Sequence, residues 1–166
     1  MKKILLTFTL MLAVAFVYAQ DHPKGNTNVG IGLDFPEFAF EGTDGNWVTK
    51  NTLPANQPVI VFYFDPFCDH CQQEAEWITS QKELFKNITF LWVSWGEMAD
   101  IKAFPGKYLP GVTGDIYFTR DTKFEFDNYF GYSEIPSIYV YNAKGKRTAS
   151  FKSETKPEIL VKFARQ

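Results

Sequence analysis

Apolar and polar positions alternate in recognisable periods along most of this chain. Phe38-Ala39-Phe40 and Trp47-Val48 flank Asp44-Gly45, which predicts a β-hairpin. Val59 to Phe64 is apolar throughout, as a central strand covered on both faces would be. After Pro66 the period changes to that of a helix reaching about Phe85. Cys71, Ala75 and Ile78 mark its inner face, with Gln72, Gln73 and Glu76 outside. Ile88 to Val93 reads as a second buried strand. Residues 96–114 contain Gly96, Pro105, Gly106, Pro110, Gly111 and Gly114, and are expected to be irregular or weakly helical. Ile116 to Phe118 predicts a short strand and Lys123 to Phe130 a short helix. Ser137 to Tyr141 and Thr148 to Phe151 predict a second hairpin, joined through Asn142-Ala143-Lys144-Gly145. Thr155 and Glu158 have the spacing of a capping box for a last helix ending near Arg165. Strand, helix and strand followed by a hairpin and helix describe an α/β sandwich with a mixed sheet.

The first residues follow another rule. Lys2 and Lys3 precede an apolar run from Ile4 to Val17, and Val17-Tyr18-Ala19 ends on a small residue. The run falls short of the ~20 residues that span a bilayer, so residues 1–19 read as a secretory signal peptide cut after Ala19. Residues 20–34 are polar and Gly/Asn-rich and read as a flexible tether. Residues 35–166 then form one domain, and export places it in the periplasm or an equivalent oxidising compartment. A chain of 166 residues with a formal charge of -2 lacks the basic surface of a nucleic-acid binder. Two cysteines and two histidines exclude a multi-disulfide framework and a four-cysteine zinc site.

The chemistry concentrates in Cys68-Asp69-His70-Cys71, between a buried strand and a helix. Cysteines three apart in a helical first turn lie about 5 Å apart at Cα, within disulfide range. Cys68 falls at the helix N-terminus, where unpaired N–H groups and the macrodipole stabilise a thiolate, so it is the expected nucleophile. Cys71, one turn deeper, is the expected resolving thiol. His70 would stabilise the thiolate when protonated, or else be a solvated helix residue; Asp69 acts in the opposite sense. Two other uses of the motif remain open. A structural disulfide would close so short a loop that it constrains little chain entropy. A metal site would draw on Cys68, His70 and Cys71, with His22 as the only other histidine.

With FDPFCDHC after its strand and Ile135-Pro136 before another, the chain resembles the thioredoxin-like superfamily. Within it, the pattern is that of the exported TlpA/ResA-type thiol-disulfide oxidoreductases. The resemblance runs from about Phe35 to the C-terminus. It implies a thioredoxin-like sandwich, a central mixed β-sheet flanked by helices, with an extra strand-helix insertion within residues 96–130. It also implies a cis Pro136 facing the cysteines, with Ile135 and Pro136 binding substrate backbone. Thioredoxin's buried aspartate, six residues before the first cysteine, is replaced by Phe62. Glu74 instead matches a glutamate that the exported reductases carry three residues after the second cysteine. On a helix, positions 71 and 74 share a face, so a desolvated Glu74 would exchange a proton with the resolving thiol.

The implied activity is reduction of disulfides in partner proteins, without organic cofactor or metal. A membrane-bound redox protein would supply the electrons. The histidine of CDHC is shared with the oxidising DsbA type and keeps the opposite direction open. A thiol peroxidase would carry a threonine in its P-x-x-x-T-x-x-C pattern, and residues 62–67 contain none. A copper- or haem-delivery chaperone is the non-enzymatic alternative.

Overall fold

The computed structural model describes residues 30–166. The predicted signal peptide, its cleavage point and His22 lie outside the described residues. Seven strands form one sheet: β1 (Ala39–Gly42), β2 (Trp47–Thr49), β3 (Val59–Tyr63), β4 (Thr89–Ser94), β5 (Ile116–Arg120), β6 (Ser137–Tyr141) and β7 (Arg147–Phe151). Four helices accompany them: α1 (Asp69–Ser80), α2 (Met98–Tyr108), α3 (Phe126–Phe130) and α4 (Pro157–Ala164). The strand order is β2-β1-β5-β4-β3-β6-β7. β3, β4 and β5 run parallel, while the outer pairings are antiparallel, so the sheet is mixed. Between β4 and β6 the chain inserts β5 and α3 in addition to α2, the expected strand-helix addition.

The unbroken apolar run of β3 is explained by cover on both faces. Ile60, Phe62 and Phe64 point into one core with Trp92, Ile138 and the inner faces of α1, α2 and α4. Val59 and Val61 point into the other, with Phe35, Phe38, Phe40, Phe126, Phe130, Tyr139 and Tyr141. Phe62 lies flat on Trp92, ring centres 4.0 Å apart.

Three local expectations need correction. The helix after Pro66 stops at Ser80, and Lys82–Phe85 forms a separate 3-10 turn. Residues 98–108, expected to be irregular or weakly helical, form an eleven-residue helix with Pro105 inside it. Burial of Ile101 and Phe104, three apart on one face, outweighs the lost proline N–H and the glycine after it. The capping box at Thr155 does not form. Lys156 is the N-cap and Pro157 occupies the first helical position, where its missing N–H costs nothing. Thr155 spends its N–H on Glu74 instead.

Residues 32–34 pair with the start of β7: Gly32 N–H donates to the Arg147 carbonyl and Arg147 N–H to that of Leu33, both at 2.8 Å. Arg147 is buried. Its Nε reaches Tyr141 Oη at 2.9 Å and its Nη2 the Phe130 carbonyl at 2.9 Å. The guanidinium also lies over the Tyr139 ring, 4.7 Å from its centre. Gly30 crosses above with φ +71; a Cβ there would sit 2.5 Å from Arg147 Nη1, so glycine is required.

Candidate active site

The parallel strands β3, β4 and β5 end at one edge of the sheet, and β6 begins there. After β3, Phe64 N–H still pairs with the Val93 carbonyl, and the chain then turns at Asp65-Pro66. Asp65 closes this turn twice. Its carbonyl accepts Cys68 N–H at 3.1 Å, and its Oδ1 accepts Phe67 N–H at 2.8 Å. Cys68 is thereby delivered as the N-cap of α1, with extended backbone and no side-chain cap on the first-turn amides. Its carbonyl takes the N–H groups of Cys71 and Gln72. Gln72 Nε2 reaches back to the Pro66 carbonyl at 2.9 Å and ties the second turn to the loop.

Both cysteines are free thiols, Cys68 partly exposed and Cys71 fully buried. Burial pushes the Cys71 thiol far above its ordinary value. A hydrogen bond from the Asp65 backbone opposes the rise, while Cys68 and the Asp65 carboxylate add to it. One thiol is therefore accessible, and burial keeps the other protonated beneath it.

Glu74 lies on the same inner face of α1 and is 1% exposed. Its Oε2 accepts Thr155 N–H at 2.6 Å, whereas Oε1 is buried with no hydrogen-bond partner. Burial pushes its carboxyl up to about 8, against the pull of the Thr155 amide; Glu154 raises it further and Lys156 lowers it. The acid whose charge bears on Cys71 is Asp65, a residue the motif gives no reason to single out.

His70 is largely exposed, and its Nδ1 lies 3.1 Å from Glu154 Oε2. Lys156 Nζ sits 3.9 Å over the Trp77 ring. The loop 154–156 thus meets α1 at positions 70, 74 and 77, one helical stripe, using residues about 80 positions away. Nothing local in the sequence announces these partners. The Ile135–Pro136 peptide bond is cis. Ser137 pairs with Tyr63, so Pro136 stands just beyond the end of β3, on the edge where Cys68 lies. Ile135 and Cys68 pack against the same core. Among the described residues, no group of three or more His, Cys, Asp or Glu is arranged to hold a metal ion, and no helix is long and apolar enough to cross a membrane.

Residues 46–166 match the thioredoxin-like domain family. Curated proteins include no significant match by sequence. Among solved structures, the chain is similar to a secreted Mycobacterium tuberculosis disulfide oxidoreductase homologous to E. coli DsbE. The identity is 17% and the TM-score 0.62, covering 76% of this chain and 94% of that one. A thiol:disulfide interchange protein of the thioredoxin family from Chlorobium tepidum gives 19% identity and a TM-score of 0.60, covering 88% and 99%. StoA from Bacillus subtilis gives 16% and 0.57, covering 78% and 96%. At these identities the likeness is one of fold.

Proposed function

Because the chain belongs to the thioredoxin-like domain family, we propose that it is an exported thiol-disulfide oxidoreductase that reduces disulfides in partner proteins. The observation that carries this reading is the pairing of an accessible Cys68 at the start of α1 with a buried Cys71 one turn below. The Cys68 thiolate attacks one sulfur of a partner disulfide, forming a mixed disulfide and expelling the other partner sulfur, which takes a proton. Cys71 then loses its proton and attacks Cys68, releasing the second partner thiol. Two electrons pass to the partner, and a Cys68–Cys71 disulfide remains for a membrane-bound donor to reduce. Ile135 and Pro136 would offer backbone to an extended partner segment. Glu74 would receive and return the Cys71 proton, by way of water or a small movement of α1.

The reducing direction is favoured over a DsbA-like oxidising one by the TlpA/ResA-type architecture, with its added strand and helix between α1 and Pro136. The reduction potential of the pair tests the direction: a value near ~-270 mV marks a reductase, and one near ~-120 mV an oxidase. Trapping tests the roles. Cys71→Ser should accumulate mixed disulfides that a reductant releases, and Cys68→Ser should form none. The reverse pattern would exchange the roles, and loss of stability alone in both variants would make the pair a structural staple.

A further inference from the structure

Four large aromatic side chains stand exposed on the four loops at the Cys68 edge of the sheet. Phe67 follows β3, Trp95 follows β4, Phe124 follows β5, and Tyr132 precedes β6; their exposures are 73%, 44%, 72% and 70%. Their loops leave the same end of the sheet because the parallel strands end together: Tyr63 pairs with Val93 and Ser137, and Ser94 with Arg120. Gly96 approaches Pro66, which brings the Trp95 loop against the loop that carries Phe67 and Cys68.

These loops are held, not loose. Asp121 is buried, and its carboxylate accepts the N–H groups of Lys123, Glu125 and Phe126 at 3.3, 3.0 and 2.9 Å. That cage bends the chain so that Phe124 adopts φ +56, a left-handed conformation unfavourable for a residue with a Cβ. A strained backbone that holds a phenyl ring out in water serves no packing purpose within this chain. On the other side, Asp127 binds the N–H and hydroxyl of Ser133, and Tyr139 Oη reaches the Tyr132 carbonyl at 3.1 Å.

Each exposed ring has a carboxylate within two residues after it: Asp69, Glu97, Glu125 and Glu134. Asp65 adds a fifth beside Cys68. Glu97 and Glu134 hold exposed ion pairs with Arg120 and Lys152, and Lys152 also lies over the Tyr132 ring; Lys123 is the cation next to Phe124. Asp65 and Asp69, which bracket Cys68 in the chain, leave the centre of the rim acidic.

We propose that this rim selects the substrate: a disulfide-bearing protein segment that presents apolar side chains to the four rings and basic side chains to the acids around Cys68. The inference rests on the oxidoreductase reading and extends it to the class of partner. Rigid aromatic faces supply contact area at little entropic cost, and the acids reject acidic segments by like-charge repulsion.

The test uses the reduced full chain and three oxidised probes. Two are disulfide-bridged peptides of equal length with the same leucine and phenylalanine residues, one flanked by lysine and arginine and the other by glutamate and aspartate. The third is oxidised glutathione, too small to span the rim. The basic peptide should be reduced about tenfold faster than the acidic one at low salt, and the preference should shrink severalfold at ~0.5 M salt. Phe124→Ser, and independently Trp95→Ser, should lower kcat/KM for the basic peptide about tenfold more than for glutathione. Equal rates on both peptides, with glutathione still reduced, would overturn the rim and leave the enzyme intact. Failure to reduce any of the three would overturn the oxidoreductase reading itself. A micromolar dimer seen by sedimentation and abolished by Phe124→Ser would assign the rim to a second copy of this chain and overturn the proposal.

Discussion

Glu74 and Arg147 are both ionisable residues sealed in the domain, one on each face of the sheet, and they are treated oppositely. Arg147 is supplied with a tyrosine hydroxyl, a main-chain carbonyl and two tyrosine rings. Glu74 receives one amide, and its second oxygen has none. A buried ion whose bonds are met acts as a staple, because removing it strands its partners. A buried acid whose bonds are half met is unstable as an anion and titrates near neutrality. The first residue organises the aromatic core, and the second, on the inner face of the helix that carries Cys71, holds a proton that the role proposed for it would use.

The sharpest way to break this contrast is Arg147→Met. It keeps apolar bulk but leaves the Tyr141 hydroxyl and the Phe130 carbonyl buried without a partner. A loss of about 3 kcal/mol is expected in urea denaturation, independent of pH across the neutral range. A loss under about 1 kcal/mol would show that the core does not depend on the staple.

Glu74→Gln should act through pH. Its ordinary value is 4.5, and the fold raises it to about 8. Between these values the unfolded chain has released the proton that the folded chain retains. Glu74 therefore contributes fully below 4.5, its contribution falls as pH rises by up to ~1.4 kcal/mol per unit, and it levels off above about 8. The variant should lack this slope, so its stability relative to the parent should improve from pH 5 to pH 8. The pH profile of thiol exchange should flatten over the same range. Parallel stability curves for parent and variant would remove Glu74 from the proton chemistry.

The smallest effect is expected from Glu154→Gln, which weakens the bond to an exposed His70. The change should be below about 1 kcal/mol and decrease further with salt. A larger loss would mean that loop 154–156 is held by this pair more than by the Thr155–Glu74 bond.

The elements carrying strong periodicity are legible in the sequence alone: β3, β4, the two hairpins and the inner face of α1. So is the placing of Cys68 and Cys71, because a cysteine pair straddling a strand-to-helix turn has local geometry. α2 is not legible there. Pro105 and the glycines around it argue locally against a helix, and only the core waiting for Ile101 and Phe104 decides otherwise. Thr155 looks like a cap because its neighbours fit that pattern, yet its amide belongs to a carboxylate 81 residues away. Asp65, Asp121 and Arg147 go unmarked for the same reason. Each is ordinary in its own stretch of sequence and acquires meaning from the turn, cage or core that surrounds it.

The tryptophans give the molecule a built-in optical readout. Trp92 is 1% exposed and stacked on Phe62, whereas Trp95, three residues on, is 44% exposed at the rim. Emission from the first should stay blue and constant until the domain unfolds. Emission from the second should move when something covers the rim. With Trp47→Phe and Trp77→Phe to remove the other two indoles, a single spectrum would separate docking from denaturation without any added label.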